Sequence, residues 1–326
     1  MPEYHFDIQM EAFMRAVQVV EERGPASVVL ADVEEPDGDL VVQVRAAGVS
    51  FPDLLMTHGK YQVRQNLPFT LGWEAAGDVI KAPPGGEFSV GDRVMTLTFG
   101  AHAERVAAVA ETTFRLPDAL DYRRGAALPL NYLTALAAVQ RRGALQPGET
   151  VLVHGAAGGV GSACIQIAKA LGGRVIGCVS TDEKARVATS LGADAVLVGE
   201  DWFARLETPV AMIVDPVGGQ KRFRDSLRSL APEGRIVVVG FAAGQIPTVS
   251  VNRLLMRNVD VRGCSFGVLA VDSVVRAAAL AQLEDLTTRG AISPLIGAVY
   301  AFDDVDRALQ DLAERRSTGK VIVELN

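Results

Sequence analysis

The sequence predicts an α/β fold that combines an antiparallel β domain with a doubly wound parallel sheet. Three patterns along the 326 residues indicate it. Short strands separated by turns fill the chain up to about residue 115, strands and helices alternate from about residue 124, and the last part adds two helix–strand units. Because both of these units can return to the β domain, we expect that domain to be discontinuous in sequence.

The first pattern is a run of β-branched segments separated by Gly, Pro and Asp. Such segments predict strands, and their close spacing favours antiparallel connections. The expected strands are MRAVQVV, VVLADVE, DLVVQVRAAGVS, AAGDVIKAP, GDRVMTLTF and HAERVAAV. Gly91 and Asp92, just before VMTL, are typical of a hairpin turn.

The second pattern is an alternation of strands with helices of roughly 10 to 15 residues. Residues 124–142 have helical periodicity, and a helix over 161–171 follows the strand ETVLVHG. The later segments are RVIGCVS, DEKARVATSLG, DAVLV, VAMIVDPV, KRFRDSLRSL and RIVVVGF. Right-handed crossovers of this length place helices on both faces of a parallel sheet, which is a nucleotide-binding arrangement.

The third pattern lies at the end of the chain. A helix over 271–289 precedes the apolar strand IGAVYAF, and a helix over 303–316 precedes the strand KVIVEL. Both strands are candidates for pairing with the β domain.

Composition limits the classes of partner. The chain is 49% hydrophobic and 22% charged with a net charge of -7, which is ordinary for a globular protein with two cores. No Lys/Arg cluster is extended enough to follow a phosphate backbone, so we do not expect nucleic acid as a partner. The longest apolar stretches have strand length, far below the roughly 20 residues of a membrane span.

Cysteine use and the first residues predict the compartment. Cys164, Cys178 and Cys264 are odd in number and widely spaced, which indicates neither a disulfide framework nor paired metal ligands. The segment MPEYHFDIQMEAF is either a start-site extension or a frayed tail, and it lacks the basic and apolar regions of a secretory signal. We therefore expect a cytoplasmic protein.

The most specific local motif is VLVHGAAGGVGSACIQIAKALG. It places Ala156, Gly158 and Gly161 directly after a strand and at the start of a helix, in the pattern of a dinucleotide-binding fingerprint. Glycines let the backbone approach a pyrophosphate, and the helix N-terminus offers free N–H groups. Ala156 replaces the first glycine of the strict pattern, but a small residue still fits the turn. The alternative is a glycine-rich turn without a ligand.

The end of the next strand predicts which dinucleotide is bound. An acidic residue about 20 positions after the loop would bind the ribose 2'-hydroxyl of NAD, but Val179 stands there. Ser180 and Thr181 can donate to a 2'-phosphate, and Lys184 can pair with it. NADPH is therefore the expected cofactor, although Asp182 argues against it and Ser180 and Lys184 could be a helix cap and a solvated lysine.

Seven segments together resemble the zinc-free quinone oxidoreductase branch, the zeta-crystallin-like branch, of the medium-chain dehydrogenase/reductase superfamily. They are GVSFPDLLMTHGKY, LPFTLGWEAAG, NYLTALAAV, HGAAGGVG, STDEKA, GRIVVVGFAAG and NRLLMRNVDVRGCSFG, and the resemblance runs from about Met14 to the C-terminus. It implies a GroES-like catalytic domain formed by residues 1–130 and 268–326 and a Rossmann NADPH-binding domain formed by residues 131–267. It also implies a homodimer built through the sheet edge at VDVRGCSF.

The family's cofactor contacts match positions of this chain one by one. By resemblance, and together with Gly161 and Thr181 from the motifs above, the cofactor-binding residues are Thr134, Gly158, Gly159, Val160, Ser180, Lys184, Val217, Phe241, Gly244, Ser265, Phe266 and Gly267. Some relatives hold the 2'-phosphate with a tyrosine near Gly199, and Arg315 or Arg316 could compensate for its absence here.

The zinc-ligand positions of related alcohol dehydrogenases fall on Ser50, Trp73 and Leu130 by the same resemblance. Tryptophan and leucine cannot bind zinc, and a lone serine is a poor ligand. We therefore expect no metal, and His58 and His102 are interpreted as ordinary polar residues. Without a Lewis acid, hydride transfer requires an acceptor that is already electron-poor.

The expected reaction is therefore the NADPH-dependent reduction of a quinone or a similar small-molecule acceptor. Ser50, Phe51 and Trp73 are expected to line the substrate cleft, and many relatives have Asn where Ser50 stands. Tyr61 matches a cleft tyrosine and is the candidate proton donor, or else a residue packed on the rim. The alternatives are an alkenal or enone double-bond reductase and a non-catalytic, crystallin-like NADPH-binding protein.

Overall fold

Two large β-sheets organise the computed structural model, which describes residues 13–265 and 273–325. The strands are β1 (Phe13–Val19), β2 (Val28–Glu34), β3 (Val41–Val49), β4 (Phe69–Thr70), β5 (Glu74–Lys81), β6 (Arg93–Leu97), β7 (Arg105–Ala107), β8 (Thr113–Arg115), β9 (Thr150–His154), β10 (Arg174–Val179), β11 (Ala195–Val198), β12 (Val210–Asp215), β13 (Leu230–Val238), β14 (Asp260–Gly263), β15 (Ile296–Ala301) and β16 (Lys320–Glu324).

The helices cover most of the remaining core-forming segments. They are α1 (Phe51–Thr57), α2 (Tyr122–Ala127), α3 (Pro129–Leu136), α4 (Gly159–Ala170), α5 (Asp182–Ser190), α6 (Gln220–Ser229), α7 (Asn252–Leu255), α8 (Ser273–Thr288) and α9 (Val305–Ala313). Among the described residues, no helix is long and apolar enough to cross a membrane.

The first large sheet has the order β15-β16-β3-β5-β6-β8, and β7 also pairs with β3. Its pairs are antiparallel except for β15 and β16, which run parallel. Val321 of β16 lies opposite Val49 of β3, so the end of the chain returns to its beginning. This confirms the expected mixed fold with a discontinuous β sheet, and a small sheet, β2-β1-β4, lies beside it.

The second large sheet is parallel, with the order β11-β10-β9-β12-β13-β14. The order runs outward in both directions from β9 and β12, so the carboxyl ends of these two strands flank the switch point of the sheet. Strand β14 is at one edge of the sheet. The doubly wound arrangement expected from the alternating helices is thereby confirmed.

Some boundaries differ from the expected ones for local reasons. Residues 124–142 are not one helix: Leu128 separates α2 from α3, which begins at Pro129, and a π-helical segment, Ala137–Arg142, follows. Proline suits the first turn of a new helix because it has no N–H to leave unpaired there. Helix α1 was not predicted from the strand pattern around it.

One apolar cluster crosses from one large sheet to the other. It includes Ala46 and Ala76 of the antiparallel sheet, Val151 and Val153 of the parallel sheet, and Leu133 of α3 between them. Because this packing is continuous, it shows no boundary between two domains. The domain boundaries at residues 130 and 268 therefore stay predictions.

The three cysteines are free thiols and are all buried. Burial away from water raises the pKa of Cys164, Cys178 and Cys264 above the usual thiol value, since it disfavours the charged thiolate.

Candidate functional site

The glycine loop connects β9 to α4 at the switch point of the parallel sheet. Gly155 has a positive φ of 60°, and Gly158 is the N-cap of α4, with its N–H donated to the Gly155 carbonyl at 2.9 Å. Helix α4 begins at Gly159, two residues earlier than expected, so the N–H groups of its first turn lie inside the loop. The loop has the geometry of an anion-binding site.

The glycines of the loop have different reasons to be glycine. A Cβ on Gly161 would lie 2.1 Å from the Gly155 oxygen, and one on Gly159 would lie 2.7 Å from Nδ2 of Asn131. A Cβ on Gly158 would meet only the Gly155 oxygen, at 3.3 Å. Gly161 and Gly159 are therefore required by packing, whereas a Cβ on Gly158 would make one tight contact that a small shift can relieve. A glycine at this position also lets the backbone approach a pyrophosphate.

The sheet brings most of the predicted cofactor residues to one edge. Because parallel strands end at the same edge, the residues after β9, β10, β12, β13 and β14 lie along one line of loops. These residues are Gly158, Gly159, Val160, Gly161, Ser180, Thr181, Val217, Phe241, Gly244 and Ser265. Phe266 and Gly267, which were expected to close over the nicotinamide, lie outside the described residues.

The loop after β10 contains the residues expected at the 2'-phosphate. Ser180 is exposed, and the Thr181 hydroxyl accepts the backbone N–H of Lys184 at 3.3 Å, so Thr181 and not Ser180 is the cap of α5. Lys184 Nζ donates to the carbonyl of Arg315 at 2.9 Å, and the Arg315 guanidinium donates to the carbonyl of Ala242 at 3.2 Å. Lys184 thus contacts the backbone of Arg315, whose guanidinium reaches the loop after β13.

The loops after β12 and β13 are joined by hydrogen bonds. Asp215 Oδ1 accepts the N–H groups of Val217 and Gly218, both at 2.9 Å. The N–H of Ala243 donates to the Val217 carbonyl at 2.7 Å, and the N–H of Gly244 donates to the Phe241 carbonyl at 2.7 Å. Asp215 thus fixes the turn that presents Val217.

Helix α3 lies beside the glycine loop. The Thr134 hydroxyl donates to the Leu130 carbonyl at 2.6 Å and is almost fully buried. Asn131, one turn earlier, is the residue against which Gly159 packs. Thr134 therefore lies near the loop, with its hydroxyl proton already engaged by its own helix.

An aromatic wall, made of Phe51, Tyr61, Trp73 and Phe99, forms on the antiparallel sheet. The rings of Tyr61 and Trp73 meet edge to face at 5.8 Å, and those of Trp73 and Phe99 at 5.3 Å. Burial and the nearby Asp53 raise the pKa of Tyr61, which keeps the phenol protonated at neutral pH. The structure thus brings Tyr61 and Trp73 into contact, and Phe51 packs against the same apolar cluster; their role as a substrate cleft stays a prediction.

Ser50 belongs to a buried polar cluster beside the wall residues Phe51 and Trp73, which we call the Ser50 cluster: Ser50, Asp53, Glu74 and Lys320. Lys320 Nζ donates to Ser50 Oγ and Glu74 Oε1, and Glu74 Oε2 accepts the N–H of Leu130 at 2.8 Å. The Ser50 hydroxyl donates to Glu74 Oε1 at a longer 3.3 Å. Glu74 therefore connects the three positions that match zinc ligands. Its carboxylate accepts hydrogen bonds from the Ser50 hydroxyl and the Leu130 N–H, and Glu74 directly follows Trp73 in the sequence.

Asp53 and Ser50 form a capping box at the start of α1. Asp53 Oδ2 accepts the N–H of Ser50 at 2.7 Å, while Asp53 Oδ1 is buried with no hydrogen-bond partner among the described residues. Burial raises the pKa of Asp53 to about 7, against the opposing effect of the Lys320 charge. This carboxyl is therefore near its titration point at neutral pH.

Two histidines that could have been metal ligands have other environments. His102 is fully buried with Nε2 3.2 Å from the Gly48 carbonyl, and burial lowers its pKa to about 4. His58 is exposed and follows α1. Within residues 13–265 and 273–325, no three His, Cys, Asp or Glu side chains gather into a group that could hold a metal ion.

The glycine loop and the strand that bears Lys320 are in direct contact. The N–H of Gly319 donates to the Ala157 carbonyl at 2.7 Å, and Gly158 and Gly319 form an isolated parallel bridge. Lys320 follows Gly319 and enters the Ser50 cluster. The glycine loop therefore lies next to the strand that carries Lys320 into the Ser50 cluster.

Glu74 and Lys320 were not singled out from the sequence. They are 246 positions apart, and each is the first residue of an otherwise largely apolar strand. The available signal was a charged residue at the start of a buried strand. Such a residue alone does not indicate which other charged residue it pairs with.

Comparisons with known proteins agree with this geometry. Residues 36–118 match the family model described as alcohol dehydrogenase GroES-like domain, and residues 159–285 match the one described as zinc-binding dehydrogenase. The quinone oxidoreductase-like protein 2 of Bos taurus is 38% identical over 304 residues, which are 87% of this chain and 84% of that protein.

Solved structures give the same picture. The quinone oxidoreductase of Thermus thermophilus, solved alone and with NADPH, is 33% identical with a TM-score of 0.84, and the match covers 96% of this chain and 100% of that one. A mycobacterial protein solved in complex with NADPH is 34% identical with a TM-score of 0.89 and the same coverage of both chains.

Proposed function

Because the chain belongs to the quinone oxidoreductase branch of the medium-chain dehydrogenase/reductase superfamily, we propose that it is an NADPH-dependent quinone reductase that works without zinc. The observation that carries the proposal is the contact between the glycine loop and the strand of Lys320, made by the Gly319 N–H and the Ala157 carbonyl. A dinucleotide on the loop would extend its nicotinamide toward the aromatic wall.

NADPH fits the described residues. The lack of a side chain at Gly158, the free N–H groups at the start of α4 and the absence of a carboxylate at Val179 all favour a phosphorylated dinucleotide. Lys184 would hold the 2'-phosphate, and Arg315, whose backbone carbonyl Lys184 contacts, could contribute a second cation. Two solved relatives contain NADPH, which supports the same choice.

Independence from zinc is supported by the residues at the ligand positions. Neither Trp73 nor Leu130 has a side-chain atom that binds zinc, and the Ser50 hydroxyl already accepts from the Lys320 ammonium. A metal ion would have to displace that cation. The family model described as zinc-binding dehydrogenase matches residues 159–285, which include none of Ser50, Trp73 and Leu130.

The chemistry follows from these assignments. When bound, NADPH supplies a hydride from its nicotinamide ring. The aromatic wall would stack a flat acceptor and exclude water, and Ser50 or Tyr61 would meet the charge that develops on its oxygen. A quinone suits this environment because its flat ring is similar in size to an aromatic side chain and is already electron-poor.

An enone reductase is the second candidate, because the same wall could hold a conjugated alkene. A panel of acceptors separates the two: the oxidation of NADPH is followed with para-quinones and with alkenals or enones. We expect kcat/KM to be at least about 10-fold higher for a quinone, which corresponds to about 1.4 kcal/mol of transition-state binding. Tight NADPH binding without turnover of any acceptor would instead favour the non-catalytic protein.

Lys184→Glu tests the cofactor assignment. We expect the KM for NADPH to rise by about 10- to 100-fold while the KM for NADH changes little, because only the 2'-phosphate needs the cation. Arg186→Glu on the same helix is the matched control, since Arg186 is exposed and the change of charge is equal. Equal effects of Lys184→Glu on both cofactors would refute the assignment.

Homodimer formation through β14 is part of the proposal. Among the residues that the structure describes, no strand pairs with the outer edge of β14, and the segment before it exposes large apolar side chains: Ile246, Val251, Leu255 and Met256, each more than 70% accessible. An unpaired edge beside an apolar patch is a pairing surface. A second copy of the chain would cover both.

Two further assignments stay proposals. The residues 1–130 and 268–326 would form the catalytic domain, and residues 131–267 would form the NADPH-binding domain; the pairing of β16 with β3 supports the discontinuous first domain. The free, buried thiols are compatible with the reducing cytoplasm.

A further inference from the structure

The Ser50 cluster contains an ion pair that is almost completely removed from water. The side chain of Glu74 is 0% exposed and that of Lys320 is 3% exposed. Burying both charges carries a large desolvation cost, and an apolar pair of similar size is often as stable or more stable. A stabilising role alone therefore explains this pair poorly.

The fold makes room for the pair. A Cβ on Gly48 would lie 2.5 Å from Lys320 Cε and 2.9 Å from Glu74 Cγ, so the glycine in β3 leaves the space that both stems occupy. Glu74 is held on its second oxygen by the Leu130 N–H at 2.8 Å. Three elements, β3, β5 and the start of α3, thus fix the position of the Lys320 ammonium group.

The ammonium group determines how the Ser50 hydroxyl is used. An ammonium has only donors, so Ser50 Oγ must accept in its contact with Lys320. The one hydroxyl hydrogen is then left for another acceptor. In the structure it points to Glu74 Oε1 at 3.3 Å, which is long for an O–H···O hydrogen bond.

We propose that Lys320 and Glu74 are positioning residues that hold the Ser50 hydroxyl as a hydrogen-bond donor to the acceptor's oxygen. The inference rests on the proposed function, because it needs an acceptor on the aromatic wall. In the step, the C4–H bond of the reduced nicotinamide breaks, its hydrogen and electron pair form a bond to the acceptor, and negative charge appears on the acceptor's oxygen. Ser50 stabilises that charge while keeping its proton, and a proton from water completes the hydroquinone.

The negatively charged oxygen of the acceptor would replace Glu74 Oε1 as the hydrogen-bond acceptor of the Ser50 hydroxyl, and it would be the stronger acceptor. Donation from a hydroxyl polarised by an ammonium is a charge-assisted hydrogen bond, and it strengthens as the oxygen becomes negative. The positive charge of Lys320 contributes at the same point. The cluster would therefore take over, in part, what a metal ion does at this position in zinc-dependent relatives.

Other charged or titratable groups also face the cluster. Asp53 lies on α1 and interacts with both Lys320 and Glu74, and His102 lies on the loop between β6 and β7 and is influenced by Lys320. Tyr61 is influenced by Asp53 and is the competing donor. The test must therefore separate Ser50 from Tyr61.

The first experiment compares Ser50→Ala, Tyr61→Phe and the double variant Lys320→Met/Glu74→Gln, which removes the ion pair without leaving a lone buried charge. We expect Ser50→Ala to lower kcat for a para-quinone on the order of 100-fold, with the KM for NADPH unchanged. The double variant should lower kcat similarly, and adding Ser50→Ala to it should cost little more, because the residues act as a unit.

Lys320→Arg is the conservative control, since it keeps a buried cation, and thermal midpoints and NADPH affinity confirm that each variant is folded. If folded Ser50→Ala, or the folded double variant, keeps kcat within about twofold of the parent, the inference is overturned. A loss confined to Tyr61→Phe would assign the donor to Tyr61 and would also overturn it.

The second experiment needs no turnover and so distinguishes failure of this inference from failure of the proposed function. The probe is 4-nitrophenol, whose phenolate resembles the hydroquinone anion, titrated by absorbance against the complex with NADP+. We expect the parent protein to lower the pKa of the bound phenol and Ser50→Ala to restore it toward the free value. An unchanged pKa in the parent, or no binding of the phenolate, overturns the inference whatever the acceptor panel gives.

Discussion

At the residue scale, the glycines of the loop meet two different requirements, approach of a ligand and packing within the turn. The sequence motif does not distinguish them. Gly158 has a φ of -84°, and a Cβ there would lie 3.3 Å from the Gly155 oxygen, whereas one on Gly161 would lie only 2.1 Å from it. Sequence reasoning located the loop and its glycines, because their spacing is set by the local turn. It could not tell which glycine serves the ligand and which serves the fold, because the nearest atoms to each belong to the folded turn.

This difference predicts opposite behaviour of two substitutions. Gly158→Val should cost only about 1 kcal/mol of stability, as expected for a helix cap, but raise the dissociation constant of NADPH at least about 100-fold. Gly161→Ala should destabilise the protein by about 3 kcal/mol, because its Cβ meets a backbone oxygen that cannot move away. Thermal unfolding and fluorescence titration with NADPH measure the two effects; tight NADPH binding by Gly158→Val would mean that the loop does not hold the pyrophosphate.

Asp53 gives a second prediction at this scale, on the pH dependence of stability. Its pKa is about 7 in the folded protein and near 3.8 when unfolded, because burial disfavours the charge. A raised carboxyl pKa contributes stability below pH 3.8, and that contribution is lost as the pH rises through 7. Asp53→Asn should therefore match the parent near pH 4 and exceed it above pH 7.

At about 1.4 kcal/mol per pKa unit, the advantage of Asp53→Asn is up to about 4 kcal/mol at pH 8. Urea unfolding of both proteins at pH 5 and pH 8 measures it. Thr57→Ser, a nearby buried substitution that does not titrate, is the control for general effects of pH. A stability difference that is the same at both pH values would rule out titration of Asp53 as the cause.

At the element scale, strand and helix periodicity predicted the two sheets well, because each strand is bounded by turn residues and each crossover has the length of a helix. Helix α1 was missed because its N-cap interaction, between Ser50 and Asp53, covers only one turn between strand-like segments. The pairing of β16 with β3 was expected only as a possibility. Such long-range pairing depends on which edges remain open, which a one-dimensional pattern does not contain.

The edge strand β14 gives the prediction at this scale. We expect the parent protein to have twice the 34.6 kDa mass of one chain in light scattering after size exclusion. Leu255→Asp should shift it to the monomer, because an unpaired charge in an apolar interface costs several kcal/mol. Val90→Asp is the control, as Val90 is similarly exposed at 69% but lies in the turn before β6. Unchanged dimers with Leu255→Asp would place the interface elsewhere.

At the scale of the whole molecule, the site exists only because two distant parts of the chain meet. Ala157 belongs to the glycine loop, Gly319 directly precedes the last strand, and their hydrogen bond joins the two. The resemblance predicted that the cleft lies between two domains. It did not predict this bond, because the bond depends on the relative placement of the two sheets.

The bond predicts that cofactor binding is felt in the last strand. Hydrogen exchange of the amides in 317–321 should slow when NADPH is added, because the ordered loop holds Gly319 and local opening becomes rarer. Exchange in 83–92, a turn far from the loop, should not change. Equal exchange in 317–321 with and without NADPH would show that the loop and the last strand move independently.

The burial of the cysteines has a consequence for an enzyme that handles quinones or enones. These compounds alkylate thiolates by conjugate addition, so an exposed, reactive cysteine would be consumed by the enzyme's own substrate. Cys164, Cys178 and Cys264 are shielded from solvent, and their raised pKa keeps them as unreactive thiols. If the acceptor is a quinone or an enone, as proposed, the buried thiols would resist alkylation by it.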